Sequence, residues 1–168
     1  MIFARQAQDD TAMRMPDSAG FLPLHNALYA SAPIGAIKLL VKGNPDAIRA
    51  PDGIGIHPLN IACQYSTLGG VKYLAELSPD RLNACDSKNN YLLHHACCWG
   101  TCEVIHYLLE TPMNSVSERN VVGMLPIHLF CELVNEQEEE EDDAEDTTEY
   151  TETIWRLLIA YPETVLNW

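Results

Sequence analysis

The chain has 168 residues, 47% of them hydrophobic, which is enough for one folded domain and argues against overall disorder. Its 10 basic and 24 acidic residues give a net charge of −14, and no basic stripe is visible, so the composition argues against a nucleic-acid binder. The sequence has no run of 18 apolar residues and no apolar core near its start, which predicts neither a membrane span nor a secretory signal.

The N-terminal stretch differs from the rest of the chain. Residues 1–16 are polar and mixed in charge, so we expect a flexible arm. Its apolar side chains, Ile2, Phe3, Met13 and Met15, are enough for a partial lid over the segment that follows.

From residue 17 onward, a pattern of two short helices recurs four times. Each predicted helix has apolar residues at i, i+3 and i+4, but it is too short to persist alone in water. The period is visible at one marker position, where the residues lie 35, 34 and 34 apart: Ala27, Ala62, Ala96 and Phe130. The predicted second helices keep the period of 34 at Ile37, Val71 and Ile105.

The predicted first helices open with related motifs: Pro23-Leu24-His25-Asn26-Ala27, Pro58-Leu59-Asn60-Ile61-Ala62, Leu92-Leu93-His94-His95-Ala96 and Pro126-Ile127-His128-Leu129-Phe130. They resemble the ankyrin repeat, which has a period of about 33 residues and the mark T-P-L-H-x-A. The resemblance implies an all-α solenoid of stacked helix-turn-helix units with short turn tips. It covers residues 17–168, with repeats at about 17–50, 51–84, 85–119 and 120–168.

The repeats depart from that motif in three ways. The helix-capping Thr is absent from all four, where the chain has Leu22, His57, Tyr91 and Leu125. Asn60 replaces the motif's His in the second repeat. The fourth repeat is interrupted by an acidic insertion at about 134–150, and residues 132–152 hold twelve acids and no Lys or Arg. Its composition predicts a mobile loop between a helix over 126–133 and one resuming near Thr151.

The cysteines and histidines leave two interpretations open. Cys63, Cys97 and Cys131 recur at a spacing of 34, which favours a core position, and the resemblance implies a structural role for the repeated histidines: His25, His94 and His128. The alternative is a thiol or metal sensor built on Cys97, Cys98 and Cys102, because thiolates and imidazoles bind zinc. We expect no metal and no cofactor, and free thiols in a reducing compartment, the cytoplasm or nucleus.

No phosphate-binding loop, nucleophile elbow or other catalytic motif is present, so we expect no enzymatic activity. The resemblance instead implies binding of a protein partner through turn tips and the exposed side of the first helices. The candidate residues are Phe21, Tyr29, Ile54, Ile56, Gln64, Tyr65, Lys88, Asn90, Cys98, Trp99 and Met124, with Val121, Val122, Glu132 and Leu133 in the fourth repeat. Some of these side chains have an alternative role in packing against a neighbouring repeat. The chain is alternatively an interaction segment of a larger signalling protein or enzyme.

The last predicted helix is apolar on too many sides to be buried against one neighbour. Its apolar residues and those that follow are Ile154, Trp155, Leu157, Leu158, Ile159, Val165, Leu166 and Trp168. We expect this end to contact a second copy of the chain, a partner, or further repeats.

Overall fold

The computed structural model describes residues 11–111, 115–138 and 144–161, and within them the fold is all-α, as the repeat pattern predicted. Eight α-helices follow one another: α1 (Pro23–Tyr29), α2 (Ile34–Gly43), α3 (Pro58–Tyr65), α4 (Leu68–Leu77), α5 (Leu92–Trp99), α6 (Cys102–Glu110), α7 (Pro126–Glu138) and α8 (Ala144–Ala160). Three 3₁₀ helices follow α2, α4 and α6: η1 (Pro45–Ile48), η2 (Pro79–Arg81) and η3 (Ser115–Ser117). Among the described helices, none is long and apolar enough to cross a bilayer.

The chain divides into two compact units of two repeats each, the N-terminal unit (Met1–Arg81) and the C-terminal unit (Leu82–Trp168). In the N-terminal unit the first helices α1 and α3 pack together, as do the second helices α2 and α4. The side chains at the predicted i, i+3 and i+4 positions form its core, and the fully buried ones are Leu24, Leu28, Ile37, Leu59, Val71 and Leu74. Burial of these faces supplies the stability that such short helices lack on their own.

The C-terminal unit repeats this arrangement, with α5 against α7 and α6 against α8. Its largest fully buried side chain is Phe130, which replaces the small residue of the other repeats and whose ring lies 6.1 Å from that of Tyr150. The larger ring is accommodated in the repeat whose two helices lie furthest apart in sequence.

Three repeated histidines each accept the backbone N–H of the residue that precedes a first helix. The backbone N–H of Leu22 donates to Nδ1 of His25 at 3.0 Å, and equivalent bonds join Tyr91 to His94 and Leu125 to His128. A ring nitrogen therefore accepts an N–H that the first turn of a helix would otherwise leave unpaired. This supports the structural role that the resemblance implied for these histidines. In the second repeat, Nδ2 of Asn60 is buried without a partner.

Two predictions about the fourth repeat were wrong: the limits of its two helices and the core position of Cys131. α7 continues to Glu138 and α8 begins at Ala144, whereas the sequence suggested helix limits at residues 133 and 151. Val134 is buried at 8% exposure, because it continues the apolar side of α7 into the acidic stretch, and Glu is a good helix former. Cys131 is exposed, although the equivalent Cys63 and Cys97 are fully buried. The mobile loop was expected across residues that include 139–143, which lie outside the described residues.

The described part of the N-terminal arm contacts the end of α2. Nδ2 of Asn44 donates to the carbonyl oxygen of Met13 at 3.1 Å, and Arg14 lies 3.7 Å from Asp46. The thioether of Met13 occupies the space that a side chain at Gly43 would need. Of the four apolar side chains expected to form the lid, Met13 makes this contact and Met15 is exposed, while Ile2 and Phe3 lie outside the described part of the chain.

Candidate functional site

Each turn tip is held by one acidic or amide side chain at its first position. In the second repeat, Oδ1 of Asp52 accepts the backbone N–H groups of Ile54 at 3.0 Å and Ile56 at 2.8 Å. In the third, Oδ1 of Asp86 accepts those of Lys88 and Asn90, both at 2.8 Å. The same pattern occurs in the first and fourth repeats, where Asp17 and Asn120 accept. The tips are therefore closed by local bonds that fix the direction of the side chains they present.

The carboxylates of two tips are stabilised in their charged form. The N–H of Phe21, followed by the amide of Asn26, lowers the pKa of Asp17. Burial alone would raise the pKa of Asp86, but the N–H groups of Asn90 and Lys88 and the Asn90 amide lower it below its usual value. These turn residues recur at spacings of 35, 34 and 34, the period of the marker position. That spacing is the signal by which the sequence identifies them.

The remaining polar atom of each turn side chain, Oδ2 in the aspartates and Nδ2 in Asn120, bonds either within its repeat or to the preceding one. Oδ2 of Asp17 accepts Nδ2 of Asn26 at 3.1 Å, within the first repeat. In the second repeat the residue equivalent to Asn26 is the apolar Ile61, and Oδ2 of Asp52 instead accepts the hydroxyl of Tyr29 at 2.9 Å. The second tip is therefore bonded to the end of α1.

The C-terminal unit shows the same alternation. Oδ2 of Asp86 faces Nε2 of His95 at 3.3 Å within the third repeat, and both side chains are buried. In the fourth repeat Nδ2 of Asn120 donates to Oδ1 of Asn90 at 3.1 Å, and the backbone N–H of Val121 donates to the carbonyl of Lys88 at 2.9 Å. The third and fourth tips are thus joined to each other.

Three rings form a continuous row on the N-terminal unit, here called the aromatic row: Phe21, Tyr29 and Tyr65. The ring centroids of Phe21 and Tyr29 are 5.8 Å apart, and those of Tyr29 and Tyr65 are 5.4 Å apart. Burial, followed by the bond to Asp52, raises the pKa of Tyr29, so its hydroxyl stays a donor. The row ends at Tyr65, which is 37% exposed.

The predicted binding residues differ in what they offer to a partner. Ile54, Tyr65, Lys88 and Trp99 are exposed, whereas seven are half-buried: Phe21, Tyr29, Ile56, Gln64, Asn90, Cys98 and Met124. Three candidates of the fourth repeat are also exposed: Val121, Val122 and Glu132. Leu133 was expected at the surface and is buried at 8% exposure, because α7 turns this residue inward.

Burial sets the protonation state of two core thiols and three imidazoles. Burial raises the pKa of Cys63 to about 12 and raises that of Cys97 well above its ordinary value. Burial lowers the pKa of His25, His94 and His95, which favours the neutral ring. Within the part of the chain that the structure describes, no three His, Cys, Asp or Glu side chains converge on a point where a metal ion would sit.

A family model described as ankyrin repeats (3 copies) matches residues 24–120, which is more than half of the chain and covers its first three repeats. No curated protein matches the sequence significantly.

Proposed function

This chain belongs to the ankyrin-repeat family, and on that premise we propose that it binds a protein partner through its turn tips and the exposed sides of its first helices, without catalysing a reaction. Ankyrin repeats are in general protein–protein interaction modules. The identity of the partner is set by side chains that vary on this shared scaffold.

The aromatic row is the observation that supports this proposal most directly. Tyr65 presents its ring at the end of α3, and Ile54, 67% exposed, stands on the neighbouring tip. Both are held in place before any partner arrives, Ile54 by the Asp52 bond to its backbone N–H and Tyr65 by the ring of Tyr29. Preorganised aromatic and aliphatic anchors lose little conformational entropy on binding, and Tyr is enriched among the residues that dominate interfaces.

A comparison of captured proteins tests the proposal. Tagged wild-type chain and a Tyr65→Ala, Ile54→Ala variant are used to capture proteins from the cells that express the gene, and captured proteins are quantified by mass spectrometry. We expect a specific partner whose affinity falls at least about tenfold in the variant, because hot-spot residues contribute about 2 kcal/mol or more.

The matched control is Leu39→Ala. Leu39 is 59% exposed on the second helix α2, away from the tips, so its removal should leave the captured partner unchanged. Equal melting temperatures establish that all three chains are folded. A partner lost equally with Leu39→Ala, or retained fully by the double variant, would contradict the proposed surface.

Two further features support a binding role in a reducing compartment, the cytoplasm or nucleus. All six cysteines are free thiols, although the sequence has enough of them for three disulfides. The repeated histidines are engaged as helix caps, with His25 and His94 also bonded to the carbonyls of Ala50 and Met124. These rings serve the scaffold and are not arranged around a substrate.

A further inference from the structure

The outer side of α8 has exposed apolar side chains and lies far in sequence from the aromatic row. The inner side of this helix is packed: Thr153 and Leu157 are at most 1% exposed, and the Thr153 hydroxyl bonds to Nε2 of His106 on α6 at 2.9 Å. On the opposite side Trp155 is 61% exposed and Ile159 is 73% exposed. Two of the largest apolar side chains of the unit therefore face solvent one turn apart.

These side chains continue into an open depression. Its lining consists of Thr148, Thr151, Glu152 and Trp155. Positions 148, 152, 155 and 159 share one side of a helix, so the surface is a stripe of about three turns, roughly 16 Å long. Such a stripe fits a segment of helix lying along α8, the arrangement in which amphipathic helices dock.

The charge beside this stripe is negative. Among the described residues of α8, Glu149 and Glu152 are exposed, and the sequence of the C-terminal unit as a whole has seventeen acids and three bases. The base that follows is Arg156, which is already paired with Glu152 at 2.8 Å and lies 3.9 Å from Glu110. An occupant with positive charge is favoured here, whereas a second copy of the chain would bring the same negative charge to the contact.

We propose that the outer side of α8 is a docking surface for a cationic amphipathic helix of another protein, with Trp155 and Ile159 as its apolar anchors. The apolar side of the incoming helix covers these two residues, and its Lys or Arg side chains face the acids of the stripe. This surface shares no residue with the proposed tip surface, and the two are tested by different variants.

A defined probe tests the proposal on the full chain. The probe is a fluorescein-labelled peptide of about 14 residues in which Leu and Lys alternate at the helical period, and its binding is followed by fluorescence anisotropy. Two matched peptides accompany it: one with Glu in place of Lys, and one with the same composition but a scrambled order that has no apolar side. We expect the first peptide to bind at least tenfold more tightly than either matched peptide, and less tightly as salt rises from about 50 to about 300 mM.

The protein variants separate the stripe from general negative charge. Trp155→Ala, Ile159→Ala should weaken binding at least tenfold, while Leu39→Ala, which removes an equally exposed side chain from α2, should change it less than twofold. Both chains should melt like the wild type because the substituted side chains are exposed. Equal binding by the double variant, or by the scrambled peptide, would overturn the proposal and leave only charge attraction.

Two other occupants give distinct results. If wild-type chain self-associates in sedimentation at micromolar concentration, and the double variant does not, a second copy occupies the stripe and the proposal is wrong. If the uncharged change Leu166→Ser, Trp168→Ser tightens peptide binding, the chain's own last residues occupy it and the proposal is again wrong. A monomeric wild-type chain whose peptide affinity is unaffected by Leu166→Ser, Trp168→Ser supports the cationic partner.

Discussion

The N-terminal and C-terminal units each consist of two ankyrin repeats, but they present different surfaces. Up to Arg81 the chain has seven acids and seven bases, whereas from Leu82 onward it has seventeen acids and three bases, so the whole net charge of −14 belongs to the C-terminal unit. The N-terminal unit has the aromatic row, and the C-terminal unit has the apolar stripe beside its acids. Each unit is stabilised by core side chains that recur at the repeat period. The exposed residues do not belong to this core, so they can differ between the units.

The units also differ in the number of buried histidines. The N-terminal unit has one deeply buried histidine, His25, and the C-terminal unit has two, His94 and His95. All three Trp residues lie after residue 82, so Trp fluorescence reports only on the C-terminal unit, while far-ultraviolet circular dichroism reports on both. Comparing the two signals shows which unit a substitution destabilises.

The largest expected effect comes from the buried histidine ties. His25→Ala removes a ring that is fully buried and bonded to both the Leu22 N–H and the Ala50 carbonyl, so it leaves a cavity and two unpaired groups. We expect a loss of about 3 kcal/mol in the free energy of unfolding, measured with urea and circular dichroism. His94→Ala should cost a similar amount and also shift the Trp transition.

The half-buried His128 provides a control for this pair of variants. His128→Ala should cost less than half as much, because water reaches the groups that it leaves unpaired. If His25→Ala shifts the Trp transition as far as the circular dichroism transition, the two units unfold as one cooperative block. The comparison between units would then hold for their surfaces but not for their stability.

The next effect concerns the close approach of the first two tips. A Cβ atom at Gly53 would overlap the carbonyl oxygen of Ala19, which belongs to the backbone and cannot rotate away. Gly53→Ala should therefore cost about 2 kcal/mol and displace the tips. Gly35→Ala is the matched change, since its Cβ atom would meet nothing within 4 Å and lies inside α2. Gly35→Ala should stabilise the chain by about 0.5–1 kcal/mol. If Gly53→Ala also stabilised the chain, the result would contradict the close contact between the tips.

The fold was predictable because it depends on recurring residues. A period of 34 to 35 at Ala27, Ala62 and Ala96 was sufficient to place six of the eight helices. The limits of α7 and α8 were not, because they depend on whether packing of Val134 and Tyr150 outweighs the repulsion of neighbouring acids. The acidic composition of this segment, taken alone, predicts a loop.

The candidate site was predictable only in part. The tips follow from the repeat, but the partner of the second polar atom of each turn side chain depends on contacts up to 30 residues away. In the second repeat the residue equivalent to Asn26 is the apolar Ile61, so Asp52 bonds to Tyr29 instead. In the fourth repeat the equivalent residue is the apolar Leu129, and Asn120 bonds to Asn90. Which candidate residues remain exposed also depends on this three-dimensional pairing, and the surface assignment itself stays a prediction.

Acidification should destabilise the C-terminal unit more than the N-terminal unit. Burial lowers the pKa of His25, His94 and His95, so the folded chain binds fewer protons than the unfolded chain below the ordinary value of about 6.5. Their contribution is fully present above that value and is lost as the pH falls from about 7.5 to about 5.5. The nearby Asp86 opposes part of this loss at His95.

Urea unfolding at the two pH values measures this effect. The Trp transition should shift most, and His94→Asn should reduce its pH dependence, because it removes one of the three rings of this unit whose pKa is lowered: His94, His95 and His106. Carboxylates titrate mainly below this window, so relief of repulsion among the acids does not confuse the result. A stability that is constant between the two pH values would contradict neutral buried rings.

The smallest expected effect separates the packing of the aromatic row from its polar tie. Tyr29→Phe keeps the ring between Phe21 and Tyr65 but removes the hydroxyl that donates to Asp52, whose side chain is buried. We expect a loss of about 1 kcal/mol in the free energy of unfolding, with no change in the Trp signal if the units unfold separately. Tyr65→Phe is the matched variant at the exposed end of the row and should change stability by less than about 0.5 kcal/mol. Equal losses in the two variants would show that the Asp52 tie adds nothing to the second tip, and that ring packing alone fixes the surface proposed to bind a partner.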